Sequence, residues 1–111
     1  MHHAHLPALA AFPMGPLTLR AFAGDQLMVV RVEGPAGTQA PVHAHPHEQM
    51  CLISSGRVRF RVGEEHIEAR AGDVLHIPSG VEHGAEVVED AVFFDIFHPV
   101  REDFLDQARD G

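Results

Sequence analysis

Four potential metal-binding side chains, His43, His45, His47 and Gln49, fall within seven positions of the stretch GTQAPVHAHPHEQMCLISSG, which runs from Gly37 to Gly56. His43 and His45 are two apart, and alternate side chains of an extended strand share a face, so both imidazoles can point the same way. Gln49 follows Pro46 and a short turn, where a second strand can begin. A second stretch, GDVLHIPSGVEH, contributes a turn, a short strand ending at Pro78, a turn at Gly80 and a third histidine, His83. His43, His45, His83 and Gln49 therefore make one expected site of three nitrogens and one oxygen. Imidazole and amide ligands accept several first-row ions, so one divalent transition metal (Zn, Ni, Mn or Fe) is the expected cofactor. Three buried, hydrogen-bonded histidines are the competing reading, which explains one such histidine better than three. Four protein ligands leave one or two positions for water or substrate around a five- or six-coordinate ion. A neutral amide in place of a carboxylate leaves the site one charge more positive and favours an anionic substrate oxygen.

Other residues stand close enough to matter. His47 is read as solvent-facing or as a support beside the site rather than as a fifth donor. Glu48 is the rival to Gln49, and choosing it shifts the phase of the following strand by one. Cys51 shares a face with Gln49 and reads as a packed thiol. His76 can line the pocket or face away, His66 reads as surface, and the orientation of His98 stays open. In the strand AVFFDIF, Phe93, Asp95 and Phe97 share one face, and Val92, Phe94 and Ile96 share the other. If the second set packs outward, Asp95 points inward between two aromatic rings. A carboxylate there costs several kcal/mol unless it is paired or used, which makes Asp95 a candidate proton-transfer group. The alternative is an ion pair with Arg101 or Arg31.

The elements that must carry these residues read as short strands. From Leu17 onward the pattern has period two: LTLRAF, QLMVVRVE, VHAH, QMCLI, RVRFRV, HIEAR, VLHIP, AEVVE and AVFFDIF, with turn residues between them. Val58, Phe60 and Val62 are expected inward, with Arg57, Arg59 and Arg61 outward. Ser54-Ser55-Gly56 reads as a turn, and AEVVE is expected to pair with AVFFDIF across Glu89-Asp90. Residues 1–16 read as an N-terminal arm, residues 17–111 as one all-β sandwich or barrel, and REDFLDQARDG as a helical turn or short helix. Met1-His2-His3 resembles a Cu(II)/Ni(II) chelating arrangement but reads as a mobile terminus. Met50, Leu52, Phe94 and Ile96 are candidates for core or for a homodimer interface.

Composition narrows the function classes. With 111 residues, 45% of them hydrophobic and 22% charged, the chain suits one packed domain. A formal net charge of −8 disfavours nucleic acid as a partner. A single cysteine rules out an intramolecular disulfide. No apolar run approaches the ~18 residues of a membrane span. The opening residues lack signal-peptide character, so a cytoplasmic location is expected.

The two motifs together resemble the cupin family. Its first pattern is a Gly, five residues, His-x-His, three or four residues, Glu, six residues and a Gly; Gly37, His43, His45, Gln49 and Gly56 stand in those places. In its second pattern, Gly72, Pro78, Gly80 and His83 match, and Val87 stands where an Asn is expected. The resemblance covers residues 37–97 and implies a single-domain jelly-roll β-barrel or sandwich. The ending DIFHPVREDFL and the segment HAHPHEQ resemble the KdgF group of small cupins. Those proteins convert 4,5-unsaturated monouronates, released by pectin or alginate lyases, to linear 4-deoxy-5-keto uronates. The resemblance implies metal ligation by His43, His45, Gln49 and His83, catalysis by Asp95, and substrate binding by Phe97 and Arg101. His98 and Val100 depart from the small polar residue and proline expected in that ending. The rival expectations are another metal-dependent cupin enzyme, such as an Fe(II) dioxygenase, and a non-enzymatic ligand-binding module.

Overall fold

The computed structural model describes residues 1–110; Gly111, the last residue of the expected domain and tail, lies outside the described residues. Within the expected arm, Leu6–Ala8 forms a single 3-10 turn, and strand β1 (Phe12–Met14) pairs antiparallel with β2 (Leu17–Ala23). The following strands are β3 (Met28–Gly34), β4 (Gln39–His43), β5 (Glu48–Val62), β6 (Glu65–Arg70), β7 (Val74–Ile77) and β8 (His83–His98), and helix α1 (Glu102–Asp110) ends the chain.

Two long strands organise the rest. The first half of β5 pairs with β7 and with residues 92–98 of β8, whose other edge meets β3. The second half of β5 pairs with β6 and with residues 83–89 of β8, whose other edge meets β4. One eight-stranded ladder therefore bends on itself into two facing layers, a jelly-roll sandwich with open edges rather than a closed barrel. Two expectations are corrected here. Ser54-Ser55-Gly56 is no turn between strands but an irregular stretch inside β5, and Glu89-Asp90 is no hairpin but part of the continuous β8. Short period-two segments look alike whether a turn or a bend separates them, because either interruption takes glycine and polar residues.

The bend needs Gly56. Its φ is +81°, and a Cβ at this position would lie 2.1 Å from the Asp90 carbonyl oxygen. Only a residue without a side chain allows β8 to cross β5 so closely. On either side of the bend the alternation holds. Cys51, Ile53, Val58 and Phe60 are buried, whereas Met50, Leu52, Arg59 and Arg61 face outward. The core between the layers is completed by Leu19, Val30, Val32, Phe93 and Phe97, and α1 closes one end with Phe104 against Phe12 and Phe97.

Candidate metal centre

Register brings the histidines together. His43, the last residue of β4, stands directly opposite His83, the first residue of β8, and their ring centroids are 4.4 Å apart. His45 lies past the end of β4 rather than on the strand expected to carry it, yet its ring centroid is 4.8 Å from that of His83. The Pro78-Ser79-Gly80 turn holds the loop: Gly80 N–H donates to the His45 carbonyl at 2.9 Å and Ser79 Oγ–H to the Pro46 carbonyl at 2.5 Å. One ring nitrogen from each of His43, His45 and His83 lies within 4.8 Å of the other two.

The backbone also selects the tautomers. Nδ1 of His43 meets the Pro41 carbonyl at 2.9 Å, Nδ1 of His83 meets that of Val81 at 2.9 Å, and Nδ1 of His45 meets that of His47 at 3.1 Å. A carbonyl can only accept, so each Nδ1 carries the proton and each Nε2 keeps its lone pair. His45 Nε2 lies 3.1 Å from Gln49 Oε1. Two such acceptors repel each other unless a cation lies beside them, and donors bound side by side to one ion at about 2.1 Å each stand roughly 3 Å apart. Burial, aided by the Arg101 charge and by the neighbouring imidazole, lowers the pKa of His45. Burial likewise lowers that of His83, so both rings stay neutral and able to ligate. The His43, His45 and His83 cluster is positioned to hold a divalent metal ion.

Gln49 is 6% exposed and shares its face with Cys51 and Ile53, which places its amide inward. Glu48 points the other way and meets His76 Nε2 at 2.7 Å on the outer surface, so the phase that would make Glu48 a ligand is excluded. His76 accordingly faces away from the site, His66 is exposed, and His98 meets Gln26 at 3.2 Å on the surface. His47 is half-buried, with its ring edge-on to His45 and Phe97 and with Nδ1 enclosed and without a partner among the described residues.

Asp95 lies beside the cluster. It pairs across strands with Cys51 and Val30, faces inward between the buried Phe93 and Phe97, and lines the same cavity as His43, Gln49, His83, Phe97 and Arg101. Among the described residues its Oδ1 has no hydrogen-bond partner although it is enclosed. The ion pair considered as an alternative does not form: Arg31 pairs with Glu33, and Arg101 pairs with Asp103. Burial pushes the Asp95 carboxyl up to about 6, with the Cys51 thiol, the Gln49 amide and the Arg101 charge pulling the other way. Burial and the Asp95 carboxylate together push the Cys51 thiol far above its ordinary value, which makes it a packed, unreactive group.

The sequence pattern did not reveal what Arg101 touches. Its guanidinium stacks 3.8 Å from the Phe104 ring centroid and forks onto Asp103. The enclosed cavity is about 50 Å³, well below the roughly 300 Å³ of a pocket that surrounds an organic ligand. It has room for an ion and a small polar group, with a larger molecule lying across the mouth. A wider concavity of about 570 Å³ lies on the outer face of the β4–β8–β5–β6 layer. There Arg59 is met by Glu68 and Arg61 by Glu82, and no metal-binding cluster converges among the described residues.

Known proteins share sequence and fold with this chain. The family profile described as a cupin domain matches residues 30–97. Among curated sequences, dimethylsulfoniopropionate lyase DddQ of Ruegeria pomeroyi is 36% identical over 70 residues, 61% of this chain and 34% of that protein. The chain thus spans about a third of the length of that relative. Among solved structures, an RmlC-like cupin from Shewanella frigidimarina superposes with a TM-score of 0.88 at 28% identity, covering 94% of this chain and 96% of that one. KdgF from Halomonas sp. superposes with a TM-score of 0.81 at 25% identity, covering 86% and 90%. A profile match over more than half of the chain, on this fold and around this histidine cluster, makes the protein a member of the cupin family that closely resembles KdgF in structure.

Proposed function

We propose that the protein is a metal-dependent enzyme that opens 4,5-unsaturated monouronates and converts them to linear 4-deoxy-5-keto uronates. The observation that carries this reading is the sharing of one cavity by metal-cluster residues, an inward carboxylate outside any ion pair and a cation: His43, Gln49, His83, Asp95, Phe97 and Arg101 all line it. The structural likeness to KdgF supports the substrate class.

His43, His45, His83 and Gln49 would hold the ion. The bound ion supplies Lewis-acid stabilisation of the oxygen charge that develops on ring opening. The reaction is an isomerisation. As the proton leaves the anomeric hydroxyl, the C1–O5 bond breaks, C1 becomes an aldehyde and the electron pair passes to O5. The resulting enolate then takes that proton at C4 and becomes the C5 ketone. Asp95 would carry that proton: the Cys51 thiol and the Gln49 amide hold its carboxylate, while Oδ1 has no hydrogen-bond partner among the described residues. Arg101 meets the substrate carboxylate by charge-assisted hydrogen bonds at the mouth. Phe97 closes the floor against water.

The test is loss of the enol-ether absorbance of an unsaturated monouronate, with wild type beside Asp95→Asn and a chelator-treated sample. Acceleration that needs both Asp95 and metal supports the assignment. Acceleration that survives Asp95→Asn removes Asp95 as the proton carrier. No acceleration by metal-loaded protein sinks the substrate assignment. The match to the lyase suggests a second reading, which loss of dimethylsulfoniopropionate in a parallel incubation would support.

We also propose that the chain pairs as a homodimer through one surface. Met50, Leu52, Val74 and Ile96 are 40–62% exposed on the outer face of the layer built on β3, β8, β5 and β7. This apolar face lies between Glu48–His76 at one edge and Arg31–Glu33 at the other, so a second copy related by a two-fold axis can set carboxylates against cations. Sedimentation equilibrium of wild type and Leu52→Asp distinguishes a dimer on this face from a monomer.

A further inference from the structure

We propose that Asp103 is a positioning residue that, with Phe104, presents one edge of the Arg101 guanidinium to an anionic group of the ligand at the cavity mouth. The inference deepens the reading of the cavity as a site for an anionic ligand and rests on it.

The geometry constrains Arg101 on three sides. In its plane, Nε donates to Asp103 Oδ1 at 3.3 Å and Nη2 donates to Oδ2 at 2.8 Å, so Asp103 takes the Nε/Nη2 edge. Above the plane, the guanidinium carbon lies 3.8 Å from the Phe104 ring centroid, and Phe97 follows at 5.2 Å. Phe104 is itself fixed, since it is buried and packed against Phe12 and Phe97. Nη1 has no hydrogen-bond partner among the described residues. A guanidinium has five N–H donors in a rigid fork, and a carboxylate on the Nε/Nη2 edge leaves the Nη1/Nη2 edge able to grip a second one. Arg101 is only 14% exposed and lines the cavity with Asp95, His43, Gln49 and His83.

Asp103 is built to stay ionised. Burial works against its charge, but the Arg101 hydrogen bonds and charge and two backbone amides hold its carboxyl below the usual range. It lies in the first turn of helix α1, where an acidic residue is favoured. An exposed ion pair by itself adds little stability. Here the pair locks a long side chain that would otherwise sample many rotamers, so its value falls on ligand binding.

The alternative is that Asp103 competes with the ligand for Arg101, and the two roles predict opposite signs. The probe is D-galacturonate, with D-galactose as its neutral counterpart, titrated into metal-loaded protein and followed through the arginine Nε–H resonances. Wild type is expected to show an Arg101 Nε–H signal shifted by the Phe104 ring, slow to exchange and perturbed by galacturonate but not by galactose. In Asp103→Asn that signal is expected to lose its shift and exchange quickly, with galacturonate affinity down about fivefold. Asp103→Glu, which keeps the charge, is expected to stay within about twofold of wild type. Equal or tighter galacturonate binding by Asp103→Asn overturns the inference, as does absence of binding to wild type. The unsaturated-uronate assay is scored separately: Asp103-dependent galacturonate binding without turnover sustains the inference and removes only the proposed reaction.

Discussion

His45 Nε2 and Gln49 Oε1 stand 3.1 Å apart, each an acceptor, while the carbonyls of Pro41, His47 and Val81 take the Nδ1 protons of the three histidines. Such a set gains most from a cation, and the charge on its oxygen donor tunes how tightly one is held. Gln49→Glu adds a negative charge and is expected to raise affinity for Zn(II) about tenfold, whereas Gln49→Leu lowers it by a similar factor. Competition with a chromophoric chelator measures both. Gln49→Glu should also weaken binding of an anionic ligand, because the site becomes one charge less positive.

Metal binding links to folding through pH. His45 and His83 have lowered pKa values in the native chain, so between those values and the ordinary 6.5 the unfolded chain binds more protons. Stability of the metal-free protein therefore rises with pH through this window and is lost as pH falls through it. Ion affinity should be level near neutrality and fall once pH drops below the lowered values, because the protons then compete for Nε2. Saturation at about 100-fold above Kd adds about 2.7 kcal/mol. Thermal melts with and without chelator at pH 5, 6 and 7.5 read this directly, and a metal-induced shift that grows towards acid pH would contradict it.

Asp95 has the opposite sign. Its native pKa is raised to about 6 from 3.8, so across that interval the native state binds more protons and stability falls as pH rises. Asp95→Asn removes the charge while keeping the shape. The metal-free variant is expected to be more stable than wild type above pH 6 by about 3 kcal/mol, with the difference vanishing below about pH 4. Urea unfolding at the two extremes supplies the comparison. The same substitution is expected to lower turnover of the unsaturated uronate about 100-fold or more, as general acid–base groups commonly do.

Gly56 is the test of the bend. Alanine there meets both a left-handed φ and a carbonyl 2.1 Å from its Cβ. Gly56→Ala is expected to destabilise the fold by about 3 kcal/mol or more, since β8 must move for the side chain to fit. Gly37→Ala is the control: its φ is also positive, but no atom lies within 4 Å of its Cβ, so only the backbone cost of about 1 kcal/mol applies. Equal losses in the two variants would show that the crossing at Asp90 is not what Gly56 serves.

The ligand types and the faces were legible in the residues alone. The alternation in RVRFRV and AVFFDIF separates Phe60 and Asp95 from Arg59 and Ile96 because strand side chains have period two, and the structure keeps that separation. The spacing of His43, His45, Gln49 and His83 was enough to expect one site, since each stands at a fixed offset from a glycine or proline turn. Period two carries no information about partners, however. The pairing of His43 with His83 depends on β4 meeting the far half of β8, and the long strands depend on Gly56 allowing a close crossing. The alternation likewise left Glu48 and Gln49 as rivals until the register with β8 placed Gln49 opposite Phe97. Arg101 stood in the pattern as an isolated cation. Only tertiary packing, which brings Phe104 over one face and Asp103 along one edge, decided which of its donors remain for a ligand. Local sequence sets which way a side chain points, whereas long-range pairing sets what it meets.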